Sequence, residues 1–144
     1  MYKEKIYGDF VMKKIILLLS ALLLLSGCVS EGGEADTYRQ VTMDEAVSIM
    51  QEENDYVILD VRRPDEFAEK HIPGAVNIPN ETIGTAEIRD LPDKDQLILV
   101  YCRSGNRSKQ ASEKLVALGY TNVVEFGGII DWTGETATGT EDVL

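Results

Sequence analysis

Two short, uninterrupted apolar runs limit what this chain can fold into more than any other feature. Residues 56–59 read YVIL and residues 97–101 read LILVY, and polar residues bound both runs. A strand with one face in solvent alternates apolar and polar residues, whereas a strand covered on both faces is apolar throughout. The two runs therefore predict strands inside a parallel sheet.

Helix signals alternate with these strands along the chain. Thr42 and Glu45 have the spacing of a capping box, and Pro64 stands where a first helical turn would begin. Residues 108–118 place apolar side chains at helical spacing, and Gly119 follows as a stop signal. Alternating strands and helices predict an α/β fold with helices on both faces of a parallel sheet.

Three weaker segments complete the prediction. Residues 76–78 and 123–126 are further strand candidates, and Gly127-Gly128 is expected to end the second of them. Residues 81–90 carry a faint helix signal.

The first 28 residues predict a targeting signal rather than part of the folded domain. Residues 15–25 read IILLLSALLLL after two lysines, which is too short to span a bilayer and has the form of a secretory signal. The segment that follows, Leu25-Ser26-Gly27-Cys28, resembles the bacterial lipobox, and this resemblance implies that Cys28 is lipidated. Met12 is a second candidate start, because the sequence MKK directly precedes the apolar run.

The predicted organisation therefore has four parts. Residues 1–27 are a lipoprotein signal peptide, 28–37 a flexible acidic tether, 38–134 the folded domain and 135–144 a flexible tail. The whole chain has 14 Lys and Arg against 25 Asp and Glu, a net charge of −11. The segment before Cys28 carries four lysines and two acids, so its removal leaves −13. This acidity argues against a nucleic-acid partner.

The candidate reactive residues lie in the segment CRSGNRS, residues 102–108. This segment stands between the strongest predicted strand and the best predicted helix. Ligands of open parallel sheets lie beyond the carboxyl ends of the strands. A cysteine there would meet the N–H groups of a helix N-terminus, and nearby arginines would further favour the thiolate. The alternative is a buried cysteine that merely fills a strand end. The arginines, the glycine and the helix start favour a nucleophile.

The same segment resembles the active-site loop of the rhodanese superfamily. The motif Asp60-Val61-Arg62, with Glu66-Phe67 and the run HIPGAVNIP at residues 71–79, is similar to the upstream signature of that family, and residues 127–132 (GGIIDW) are similar to its C-terminal one. The resemblance implies a five-stranded parallel sheet flanked by helices on both faces. It also implies sulfur transfer through a persulfide on Cys102.

Loop length separates this chemistry from a related one. Four residues lie between Cys102 and Arg107. Cysteine phosphatases and arsenate reductases use five, which form a wider cradle for a tetrahedral oxyanion. The shorter loop suits a single sulfur carried on the cysteine.

The expected substrates are a small thiosulfate-like anion as donor and a thiol or cyanide as acceptor, with no cofactor and no metal. The expected binding residues are Arg103, Ser104, Gly105, Asn106, Arg107 and Ser108. The hydroxyl and amide side chains among them have an alternative role as loop hydrogen-bonders and helix cap. Two other functions remain open: a persulfide carrier with little turnover, and an interaction module.

Several residues outside the loop are interpreted as structural. His71 is the only histidine, and it is expected to support a turn rather than act as a base. Trp132 is expected in the core. Asp60, Arg62 and Glu66 are expected to form a scaffold network.

Overall fold

The computed structural model describes residues 37–84 and 88–140. The predicted signal peptide and almost all of the predicted tether, with Cys28, lie outside these ranges. Within the described ranges, no helix is both long enough and apolar enough to cross a membrane.

Strands and helices alternate along the described chain, as predicted. In chain order they are β1 (Arg39–Gln40), α1 (Met43–Glu52), β2 (Tyr56–Asp60), α2 (Pro64–Glu69), β3 (Ala75–Asn77), β4 (Leu97–Cys102), α3 (Asn106–Ala117) and β5 (Val123–Gly128). Single 3₁₀ turns lie at Asn80–Thr82 and Ile129–Asp131.

The strands form one five-stranded sheet in the order β1-β5-β4-β2-β3, and every neighbouring pair is parallel. The all-apolar strand β4 lies at its centre. Leu99 pairs with Ile58 on one side and with Val124 on the other. The predicted α/β fold with a five-stranded parallel sheet is confirmed.

The side chains of β4 alternate between two hydrophobic clusters. Leu97, Leu99 and Tyr101 pack in a cluster with residues of α1 and α2, such as Ala46 and Phe67. The alternate residues of β4 pack against α3 in the other cluster: Ile98, Val100 and Cys102. Helices therefore cover both faces, which is why the strand is apolar throughout.

The predicted helix starts are largely confirmed. The Thr42 hydroxyl accepts from the Glu45 N–H, and the Glu45 carboxylate accepts from the Thr42 N–H at 2.7 Å, which completes the capping box. Helix α2 begins at Pro64. Helix α3 begins at Asn106, two residues earlier than predicted, because Gly105 caps it through its backbone conformation alone.

One strand was not predicted, and two expectations about individual elements are wrong. No apolar pattern marks β1, because both of its residues are exposed at the sheet edge. Strand β5 continues through Gly128, since glycine can pair in a sheet where no side chain fits. The described part of the segment at 81–90 has one 3₁₀ turn, Asn80–Thr82, in place of the expected helix.

The predicted tail also differs from the structure. Ala137 forms an antiparallel bridge with His71, and the Gly139 N–H donates to the Ala68 carbonyl at 2.8 Å. The described part of residues 135–144 is therefore hydrogen-bonded to the end of α2 rather than free.

Candidate active site

Cys102 is the last residue of β4 and the free cysteine of the described chain. Its side chain is 1 % exposed, and its sulfur lies under the first turn of α3. The Gly105 N–H donates to Sγ at 3.1 Å. The sulfur at the end of β4 therefore lies at the N-terminus of α3, where backbone donors favour negative charge.

Gly105 makes this contact possible through its backbone. Its φ is +95°, a left-handed conformation that side chains disfavour, and it is the N-cap of α3. This turn aims the N–H at the sulfur.

Two effects act on the acidity of the cysteine. Burial raises the pKa of the Cys102 thiol, whereas nearby donors lower it: the Ser108 hydroxyl when its single proton points at Sγ, and the N–H groups of Ser108, Ser104 and Gly105. The donors outweigh burial, so the pKa lies below that of an ordinary cysteine. The thiolate is the reactive form of a cysteine, and the loop increases the fraction of Cys102 in that form.

The end of β5 packs at backbone distance against residues 102–107, the Cys-x4-Arg segment that we call the catalytic loop. A Cβ at Gly128 would lie 2.2 Å from the Arg103 carbonyl oxygen and 2.5 Å from the Ser104 Cα. The same carbonyl accepts from the Ile130 N–H at 3.2 Å. Glycine is therefore required where β5 meets the loop. Sequence reasoning missed this role, although the Gly-Gly pair was the available signal.

Arg107 binds Glu66 in a bidentate ion pair. Nη1 lies 2.7 Å from one carboxylate oxygen and Nη2 lies 2.9 Å from the other. The Arg107 guanidinium holds the pKa of Glu66 at about 2, despite partial burial. The pair joins α2 to the first turn of α3. Glu66 therefore has the scaffold role expected of it, but its ion pair is with Arg107 and not with Arg62.

A family comparison matches this site. The model of the rhodanese-like domain matches residues 42–135, which include every element from α1 to β5 and the whole Cys-x4-Arg loop. The chain belongs to the rhodanese family. A second model, the prokaryotic membrane lipoprotein lipid attachment site, matches residues 12–28 and ends on Cys28.

Several similar proteins are named as thiosulfate sulfurtransferases or rhodaneses. Thiosulfate sulfurtransferase PspE of Escherichia coli is 40 % identical over 73 residues, covering 51 % of this chain and 70 % of that protein. Thiosulfate sulfurtransferase GlpE of Pseudomonas entomophila is 32 % identical over 110 residues, covering 73 % and 97 %. A solved structure described as a rhodanese with anions from E. coli is 36 % identical with a TM-score of 0.54, covering 58 % of this chain and 99 % of that one. Other curated relatives are longer, and this chain spans only 21 % to 25 % of them.

The remaining loop residues of this rhodanese domain face outward. Arg103, Ser104 and Asn106 are exposed. Arg103 has no ion pair within the described chain, so it is available to a ligand. It lines an open cavity of about 460 Å³ beside the loop, together with Arg62, Glu66, Glu69, Lys70, Ile129 and Ile130.

Asp60 and Arg62 form a buried ion pair at the carboxyl end of β2. Nη2 of Arg62 lies 2.5 Å from the Asp60 carboxylate and donates to the Lys70 carbonyl at 2.6 Å. Asn77 donates to the backbone carbonyls of both residues at 2.9 Å. These bonds link β2, β3 and the end of α2, which agrees with the scaffold role expected for this pair.

His71 has the structural position expected of it, whereas Trp132 lies at the edge of the core rather than inside it. His71 is fully buried, its ring stacks on Phe67 with centroids 3.8 Å apart, and Nδ1 lies 2.9 Å from the Phe67 carbonyl. Trp132 is partly buried against the α1/α2 cluster. Over the described ranges, no three His, Cys, Asp or Glu side chains lie close enough to hold a metal ion.

Proposed function

We propose that this protein is a sulfurtransferase that moves a sulfane sulfur from a thiosulfate-like donor to a thiol or cyanide through a persulfide on Cys102. The observation that carries the proposal is the Gly105 N–H directed at Sγ inside a Cys-x4-Arg loop. The names of PspE and GlpE support the same reaction.

The first half-reaction is a displacement at sulfur. The Cys102 thiolate attacks the outer sulfur of the donor and forms an Sγ–S bond. The bond between the two donor sulfurs breaks, and sulfite leaves with its electron pair. The outer persulfide sulfur carries the negative charge, and the converging N–H groups of the loop stabilise it.

The second half-reaction returns the enzyme to its starting state. A thiolate or cyanide attacks the outer sulfur, the Sγ–S bond breaks, and its electron pair remains on Cys102 as thiolate. Cyanide thereby becomes thiocyanate, or a thiol becomes a persulfide. The cycle requires no metal, no external oxidant and no external reductant.

The two loop arginines have different parts in this reaction. Arg107 is held by Glu66 and fixes the loop on α2. Arg103 is exposed and unpaired in the described chain, so we assign it to the anionic donor. Ser104 and Asn106 line the exposed side of the same loop and are the remaining donor contacts.

Turnover with thiosulfate and cyanide, measured for the natural chain and for Cys102→Ser, tests the proposal. We expect thiocyanate formation by the natural chain and only background by the variant. Equal rates would disprove an enzymatic Cys102. A mass increase of one sulfur on Cys102 without turnover would instead support a persulfide carrier.

We further propose that Cys28 is lipidated and anchors the domain to a bacterial envelope membrane. The match to a lipoprotein attachment site at residues 12–28 supports this. A diacylglyceryl group with an added N-acyl chain anchors firmly, whereas one chain binds only marginally.

A further inference from the structure

A buried carboxylate lies beneath the catalytic loop, and the reaction described above does not use it. Glu125 is in the middle of β5 and is 3 % exposed. One of its oxygens, Oε1, accepts from the Ser108 hydroxyl at 2.6 Å and from the Gly127 N–H at 2.9 Å. Burying a carboxylate costs free energy unless hydrogen-bond donors surround it. These two donors therefore allow Glu125 to be buried here.

Ser108 stands between this carboxylate and the nucleophile. Its hydroxyl is fully buried and lies near the Cys102 sulfur, the Gly105 carbonyl at 2.9 Å, the Gly127 carbonyl at 3.4 Å and Glu125. A hydroxyl has one proton, so it can serve only one of these acceptors well. The contact with Glu125 is the shortest and has the length of a charge-assisted O–H···O⁻ bond.

We propose that Glu125 is a positioning residue that draws the Ser108 proton away from Cys102, so that backbone N–H groups alone hold the sulfur. The inference concerns the same site as the proposed sulfur transfer. Only its consequence for the rate of that reaction rests on the proposed function. A thiolate with one donor fewer is more basic and more nucleophilic, because nucleophilicity falls with thiol pKa.

Other charged groups near Cys102 lie on the loop itself, on α2 and on α3. Arg107 on α3 is close enough for its charge to interact with the thiolate, and its partner is Glu66 on α2. Arg103 lies in the loop itself and is exposed. Glu125 is the negative group that reaches the loop from β5.

The experiment measures the pKa of Cys102 in the full chain from the pH dependence of alkylation by iodoacetamide. Alkylation is read on the tryptic peptide of residues 95–103, which keeps Cys28 out of the signal. In Glu125→Gln the charge is removed and the Ser108 proton is released toward the sulfur. We expect the thiol pKa to fall by roughly one unit.

Ser108→Ala provides the second, independent measurement. If Glu125 holds the proton, this variant leaves the thiol pKa within about 0.3 units of the natural value, since no donor to sulfur is lost. In the Ser108→Ala background, Glu125→Gln is expected to lower the pKa by about half as much as in the natural chain, because only the charge effect remains.

Two results would overturn the proposal. One is a rise of roughly one unit in Ser108→Ala, which would show that the hydroxyl serves the sulfur. The other is an unchanged pKa in a folded Glu125→Gln. Glu113→Gln is the matched control, because Glu113 is an exposed carboxylate on α3. Alkylation does not depend on turnover, so a failure of the proposed sulfur transfer would leave this test readable.

Discussion

Arg103 and Arg107 show how two identical side chains in one loop acquire different tasks. Both terminal nitrogens of Arg107 are hydrogen-bonded to Glu66, and its side chain is 25 % exposed. Arg103 faces solvent and lines the open cavity beside the loop. The first is therefore structural in effect, and the second is the accessible cation of the loop.

Substitution of the accessible cation should weaken donor binding alone. In Arg103→Gln we expect KM for thiosulfate to rise about five- to tenfold with little change in kcat, because an exposed ion contact contributes roughly 1 kcal/mol. Arg39→Gln is the matched control, since Arg39 lines a cavity with Leu97 at the opposite end of β4. An equal rise in both variants would mean that only net charge matters.

The Glu66–Arg107 pair gives a pH dependence of stability with a defined sign. The folded-state pKa of Glu66 is lowered to about 2 from an ordinary value of 4.5. The unfolded state therefore binds more protons between these values, and the stabilisation present above pH 4.5 is lost as the pH falls toward 2.

Glu66→Gln isolates this contribution. We expect the variant to be less stable by about 1–2 kcal/mol at pH 6, and the difference to shrink toward zero near pH 2. Urea unfolding at several pH values measures it. Glu69→Gln removes an equal charge from α2 without removing the ion pair. A difference that stays constant from pH 6 to pH 2 would contradict the assignment.

At the scale of elements, the backbone of β5 lies directly against the catalytic loop at Gly128, so we expect this junction to affect the position of the sulfur. Gly128→Ala would drive a methyl group into the backbone of Arg103 and Ser104. We expect a loss of about 1–3 kcal/mol in the free energy of unfolding from overpacking. We also expect kcat/KM to fall by about 100-fold, because misplacement of the loop by about 1 Å is sufficient.

Gly127→Ala separates steric from conformational effects at this junction. Its φ is +94° and no atom lies within 4 Å of the added Cβ. The cost there is that of a left-handed residue alone, about 1–2 kcal/mol, with little loss of kcat/KM. The junction would have no special role if both variants lost activity equally.

The elements that sequence reasoning predicted are those whose signal is local. The runs at 56–59 and 97–101 are apolar because both faces are covered, and Thr42, Pro64 and Gly119 act within one turn of a helix. Strand β1 has no such signal, since two exposed residues pair with β5 only because the sheet edge is available.

The residues of the site also divide into those with a local sequence signal and those without one. Cys102 and Gly105 were predicted because strand end, glycine and helix start are adjacent in the chain. The partners of the loop lie far from it in sequence. Glu66 reaches Arg107 across 41 positions, and Glu125 reaches Ser108 across 17. A glutamate within the apolar run VVEF was the one visible sign of the latter.

At the scale of the whole molecule, the net negative charge and the predicted lipid anchor both bear on what the domain can bind. The chain carries −11, and the part that would remain after cleavage at Cys28 carries −13. A surface of this sign repels a dianionic donor at long range, although salt screens the repulsion beyond about 10 Å at 0.1 M. The cationic loop must therefore act locally, and the acidic body also keeps the domain off anionic headgroups.

Cys28→Ser tests whether the lipid is what holds such an acidic domain at a membrane. Electrostatics alone would release the domain, so we expect the variant to leave the membrane pellet and appear in the soluble extracytoplasmic fraction or as unprocessed precursor. Turnover per molecule should be unchanged for folded protein, because Cys102 and its loop lie in a different part of the chain. Fractionation with immunodetection, alongside globomycin treatment of the natural protein, provides the measurement. A variant that remained in the pellet after high-salt washing, with the processing of the natural protein insensitive to globomycin, would show that something other than a lipid on Cys28 provides the anchor.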